Sequence, residues 1–115
     1  MRIIPLIAFS FLALPAVQAF DDRLLYSKPK GESMTAFRKS HSFVKSCETW
    51  KPARKEGLTF RGYTFVPGDY TGKHKNSEAL IACSWYDPSD SNPNPPPITF
   101  TEQIAKQLGA KAKED

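Results

Sequence analysis

Cys47 and Cys83 are the only cysteines in the 115-residue chain, so a disulfide between them has a single possible connectivity. Such a bridge would close a loop of about 37 residues, worth roughly 3 to 4 kcal/mol through the freedom it removes from the unfolded chain. At this length the chain has room for one modest domain, which excludes two-domain enzymes and makes a bridge of that strength matter. Whether the two thiols bond depends on the compartment, because disulfides form and persist where the surroundings are oxidising.

The N-terminal stretch bears on the compartment. Arg2 gives a positive start, Ile3 to Leu14 is apolar apart from Pro5 and Ser10, and Pro15 precedes Val17-Gln18-Ala19. This is the layout of a secretory signal peptide, with small residues where the peptidase reads them. Cleavage after Ala19 would remove 19 of the 115 residues and leave 96, beginning at Phe20. A membrane anchor would need about 18 or more continuous apolar residues, whereas Pro15, Gln18 and then Asp21-Asp22 come too soon. No later segment is apolar enough to span a bilayer, so the expectation is an exported chain with no stable membrane insertion and with Cys47 bonded to Cys83. Losing Arg2 lowers the formal charge from +4 to +3, too little to name nucleic acid or membrane as the partner. Asn76 is followed by Ser77-Glu78, and Asn92 and Asn94 precede prolines, so no N-linked sugar is expected.

A charged fraction of 24% and an aromatic fraction of 12% argue against a wholly disordered chain, while 10 prolines predict irregular stretches. Leu24-Leu25-Tyr26 suits an edge strand before the Lys28-Pro29-Lys30-Gly31 break. Met34, Phe37, His41 and Val44 recur at helical spacing, which predicts a helix from Ser33 to Val44 with Ser33 as the N-cap. Phe43 to Trp50 also tolerates an extended reading, with the helix handing over to a strand near Ser46. Leu58 to Val66 reads as a strand with Leu58, Phe60, Thr64 and Val66 on one face and Thr59, Arg61, Tyr63 and Phe65 on the other. Pro67-Gly68 ends it, and a polar loop from Asp69 to Glu78 follows. Ala79 to Tyr86 is apolar on both faces apart from Ser84, as a buried central strand would be, which places Cys83 in the core.

Five of the eleven residues from Asp87 to Pro97 are proline, so that stretch is expected as a stiff linker or surface loop. Thr99 and Glu102 have capping-box spacing, Phe100, Ile104 and Leu108 follow at four-residue steps, and Gly109 is placed to stop the helix. Lys111 to Asp115 reads as a frayed polar tail. The expected class is α+β: a small single domain with a short antiparallel sheet, one helix before it and one C-terminal helix. Residues 1–19 are a leader, 20–86 a disulfide-braced core, 87–97 the proline-rich segment, and 98–115 the terminal helix and tail.

No motif specifies a reaction, and no catalytic residue is assigned. His41 and His74 are the only histidines. With Glu48 or Glu56 and Arg61 they have the residue types of a ribonuclease-like site, in which a base deprotonates a ribose hydroxyl and Arg steadies the phosphate. The plainer reading, which carries more weight, packs His41 on a helix face and leaves His74 in a mobile basic loop. A metal would need both cysteines and both histidines to converge without any C-x-x-C or H-x-x-x-H pair, so no metal and no cofactor is expected. Serine-hydrolase, phosphate-cradling and zinc-protease motifs are absent.

Arg61-Gly62-Tyr63-Thr64-Phe65-Val66 resembles the aromatic RNA-binding strand of RRM domains at five of seven defined positions, departing at Thr64 and Gly68. That resemblance implies that Tyr63 and Phe65 stack on bases, whereas in a plain strand one of these rings covers core. Trp50, Lys51, Arg54, Lys55, Arg61 and Tyr63 form a basic and aromatic cluster, a candidate surface for acidic proteins, phosphates or RNA. Its alternative is a solvated turn between two strands. Asn94-Pro95-Pro96-Pro97 is either a spacer or a polyproline ligand, and no basic anchor flanks it in sequence.

A cleavable leader, a short mature chain, one cysteine pair, abundant aromatics and no enzymatic motif together resemble the small secreted effectors of plant-pathogenic fungi. Met1 to Ala19 followed by Cys47 and Cys83 is similar to the biotrophy-associated secreted proteins of blast fungi. The resemblance is one of profile over the whole chain. It implies secretion during invasion of living plant cells, delivery into host cytoplasm and virulence through binding a host protein. A ribonuclease-like or RNA-binding secreted protein is the alternative, and an apoplastic wall-binding protein a third. Blast-type β-sandwich effectors brace two sheets with one disulfide but lack helices at the positions of Ser33 and Thr99. Ribonuclease-like effectors place a helix before the sheet, which fits the order here better.

Overall fold

The computed structural model describes residues 22–39 and 42–113. The expected leader and His41 lie outside them. The architecture is α+β, with short helices laid on one antiparallel sheet of five strands. Strand β1 is Leu24–Ser27, followed by three helical turns: α1 (Met34–Arg38), α2 (Phe43–Glu48) and α3 (Lys51–Lys55). Strands β2 (Thr59–Pro67) and β3 (Glu78–Tyr86) form the main hairpin. Strand β4 (Ile98–Thr99), helix α4 (Thr101–Leu108) and strand β5 (Lys111–Ala112) complete the chain.

β3 is the centre, as its unbroken apolar run requires. β2 pairs along one edge, while β1 and β4 share the other, at Glu78–Ile81 and Ser84–Trp85 respectively. β1 is not an edge strand: Tyr26 and Ser27 pair on their far side with Ala112 and Lys111. The expected frayed tail is therefore a strand as far as Ala112, held further by Lys113 N–H donating to Leu25 O at 2.9 Å.

The alternation expected for β2 fails at one point. Phe60 lies opposite Trp85 and Gly62 opposite Ser84, so Arg61 is an extra residue in a β-bulge. Each side chain beyond a bulge changes face. Phe65, expected across the strand from Phe60, consequently shares its face with Phe60, Ile81, Cys83 and Trp85.

The helix expected over Ser33–Val44 is split. Ser33 caps α1 as expected, its hydroxyl accepting from Ala36 N–H at 3.1 Å. α1 ends at Arg38 and a second helix starts at Phe43. No strand follows it. Phe43 and Cys47, one turn apart, are both fully buried, and that spacing holds the segment helical against its β-prone composition. Thr99 does not cap the last helix, because it is already paired with Ser84 in β4. α4 begins two residues later, and Thr101 Oγ1 accepts instead from the buried Cys83 N–H at 2.9 Å. Gly109 ends α4 as expected, in the left-handed conformation at φ 87°.

Cys47 and Cys83 form a disulfide, with Cα atoms 5.7 Å apart, joining α2 to the central strand. Beside it the Trp85 indole donates to Cys47 O at 3.0 Å and meets Phe60 edge-on at 5.7 Å. Phe65 sits between Phe37, at 5.3 Å, and Phe43, at 6.3 Å. Ile104 and Ala105 of α4 close the same cluster.

Candidate binding surfaces

The structure distributes the basic and aromatic cluster over two places. Trp50 precedes α3 and is buried, with 8% of its surface exposed and its indole N–H without a hydrogen-bond partner among the described residues. Pro52 falls in the first turn of α3, where its missing N–H costs no helical hydrogen bond. Trp50, Lys51 and Pro52 line an open hollow of about 340 Å³ with Ser46, Thr49 and Gln107, from the end of α2 across to α4. Lys51, Arg54 and Lys55 are exposed on α3. The short helix, not a turn between strands, carries these charges.

Arg61 and Tyr63 stand on β2. They line a second hollow of about 260 Å³ with Asp22, Thr64, Ala82 and Ser84. In it the Ser84 hydroxyl donates to the Asp22 carboxylate at 3.3 Å, a contact between residues far apart in the chain that no local pattern announces. Arg61 also donates to Pro95 O at 3.1 Å across the mouth of the proline-rich loop. Tyr63 is 38% exposed, whereas Phe65 is enclosed in the core. Only one of the two rings of the RRM-like strand is therefore available for stacking on a base.

The ribonuclease-like residues are not brought together among the described residues. Glu56 caps the end of α3 and Arg61 is the third residue of β2, near the start of that strand. His74 lies in the loop beyond its far end, and the seven steps from Arg61 to Gly68 alone span about 23 Å when extended. Glu48 lines a hollow with Arg38, Lys39, Val44 and Lys45. His74, at φ 63°, faces Asp69 at 3.9 Å. Asp69 is the pivot of its loop: the Thr71 hydroxyl and the Lys73 and Thr71 amides donate to it and hold its carboxyl down at about 2, with His74 adding a smaller pull. Both cysteines are committed to the disulfide, and no group of three metal-ligating side chains occurs among the described residues.

No protein-family model, curated protein or solved structure matches this chain.

Proposed function

We propose that the chain is a secreted effector of a plant-pathogenic fungus that acts by binding a host component after export, with delivery into host cytoplasm. The observation that carries this reading is the fully buried disulfide. The bridge ties the helical layer to the central strand, and a core built around it favours folding in an oxidising compartment. The leader pattern at residues 1–19 supplies the route. Exposed Lys51, Arg54 and Lys55 beside the Trp50 hollow supply a contact surface suited to an acidic protein partner.

Imaging of the full-length chain, tagged after Asp115 and expressed by the invading fungus, tests the proposal. Signal in host cytoplasm is expected, signal confined around the hyphae would overturn the delivery, and the recovered protein should begin at Phe20 and contain no free thiol. Retention inside fungal cells, or two free thiols in the recovered folded protein, would overturn it. The RNA-binding alternative retains one supporting observation, the exposed Tyr63 beside Arg61. It requires RNA retention that falls steeply with salt and is lost on changing either residue.

A further inference from the structure

The segment from Asp87 to Pro97 has more built-in order than a spacer needs. Its ends are pinned side by side, because Trp85 pairs with Ile98 and Ser84 with Thr99. Along its first half the side chains hold the backbone in successive Asx turns. Asp87 accepts from Ser89 N–H at 2.9 Å and from the Ser89 hydroxyl at 2.7 Å. Asp90 accepts from Asn92 N–H at 2.8 Å, and Asn92 from Asn94 N–H at 2.9 Å. Along its second half proline does the same work. Asn94, Pro95 and Pro96 each precede a proline, which confines them to extended, polyproline II-type backbone. No turn or bend interrupts Pro95 to Pro97. Pro93, Asn94, Pro96 and Pro97 are exposed, so this arch adds little to the core. Binding residues are carried disproportionately on loops held by a rigid scaffold, as this one is at both ends.

The folded chain also supplies what the linear sequence lacks. Polyproline ligands are gripped by aromatic grooves and oriented by a neighbouring cation, and no basic residue flanks Asn94 to Pro97 in sequence. In the structure Arg61, raised by the β2 bulge, donates to Pro95 O at 3.1 Å and is exposed. Arg61, Tyr86, Pro93, Asn94 and Pro95 line an open hollow of about 260 Å³ beside the arch. Among the described residues Arg61 makes no ion pair.

We propose that the Asp87–Pro97 arch is a preformed polyproline ligand, with Arg61 as its cationic anchor, for a partner domain with an aromatic-lined polyproline groove and a carboxylate at its rim. The prolines and Asx turns lower the ordering cost of binding, and the bulge sets Arg61 where the carboxylate would meet it. This deepens the proposed binding role by naming the chemistry of a partner, and rests on that role only for where the two would meet.

The test is titration of the mature, disulfide-bonded protein with a panel of recombinant SH3, WW and EVH1 domains. At least one domain should bind, with a dissociation constant in the micromolar range. Joint Pro96→Ala and Pro97→Ala substitution should weaken that binding about tenfold or more, and Arg61→Gln several-fold, with Arg61→Lys retaining part of the loss. Both proline positions are exposed, so an unchanged melting temperature and near-UV spectrum confirm that the fold is intact. Failure of every domain to bind below about 1 mM, or binding indifferent to the two prolines, overturns the inference. The titration does not depend on export. A chain that binds but is never secreted breaks the effector reading alone, and one that is secreted but binds none of these domains breaks only this inference.

Discussion

On the face of the sheet that meets the helices, Phe65 is enclosed by Phe37 and Phe43, Cys83 is bonded to α2, and Trp85 reaches the end of that helix with its indole N–H. On the opposite face Leu25, Leu80 and Ala82 are also buried, yet they stand outside that cluster, and Val66, directly across from Leu80, is 43% exposed. The two sides thus differ in how many kinds of connection each side chain makes rather than in apolar character. A buried residue tied by packing, a covalent bond and a hydrogen bond has neighbours that cannot relax when it is lost, whereas a residue at an open margin leaves a space that solvent and neighbours fill.

The sharpest test of this difference is a pair of adjacent substitutions. Phe65→Ala should cost about 3 to 5 kcal/mol in urea unfolding, enough to threaten a domain this small, whereas Val66→Ala should cost about 1 kcal/mol or less. Equal costs would mean that the two faces contribute alike. Replacing both cysteines by alanine should follow, at about 2 to 5 kcal/mol, read as a lower melting temperature with the helical content retained. Trp85→Phe keeps most of the ring and removes its N–H. Because Cys47 O also accepts from Thr49 and Trp50, the carbonyl is not orphaned, and the loss should be about 1 to 2 kcal/mol in thermal unfolding.

Smaller effects belong to the loop between β2 and β3. Tyr70 donates its hydroxyl to Arg23 O at 3.1 Å from an exposed position, so Tyr70→Phe should cost under about 1 kcal/mol. Acid should loosen the same loop without unfolding the domain. The folded-state carboxyl of Asp69 lies at about 2, below its ordinary 3.8. What its ionised form contributes is therefore fully present above the ordinary value and is lost as the pH falls through about 2. Amide resonances of Thr71 and Lys73 should shift in that window while those of β3 stay fixed.

Much of the helix-covered side was legible in the sequence, because its signals are local. The apolar run Ala79–Tyr86 reads as a central strand, the four-residue steps of Phe100, Ile104 and Leu108 as a helix, and Gly109 as its stop. What escaped depends on partners remote in the chain. The bulge at Arg61 leaves both halves of β2 looking regular and shifts only their relative phase, so the face of Phe65 was misassigned. Lys111 and Ala112 look like a tail until Tyr26 and Ser27 are seen beside them. The candidate surface was legible as residue types but not as a place, since Trp50 and Arg61 belong to elements that line different hollows.

Neither sulfur of the disulfide has any exposed surface. Thiol–disulfide exchange needs a thiolate to reach one of the two sulfurs directly. In a reducing solution the bridge is therefore cut from opened molecules, so its half-life depends on how readily the helical layer lifts from the sheet as well as on the reductant. A chain that moved from an oxidising to a reducing compartment would keep the bond it formed in the first for as long as it stayed closed in the second.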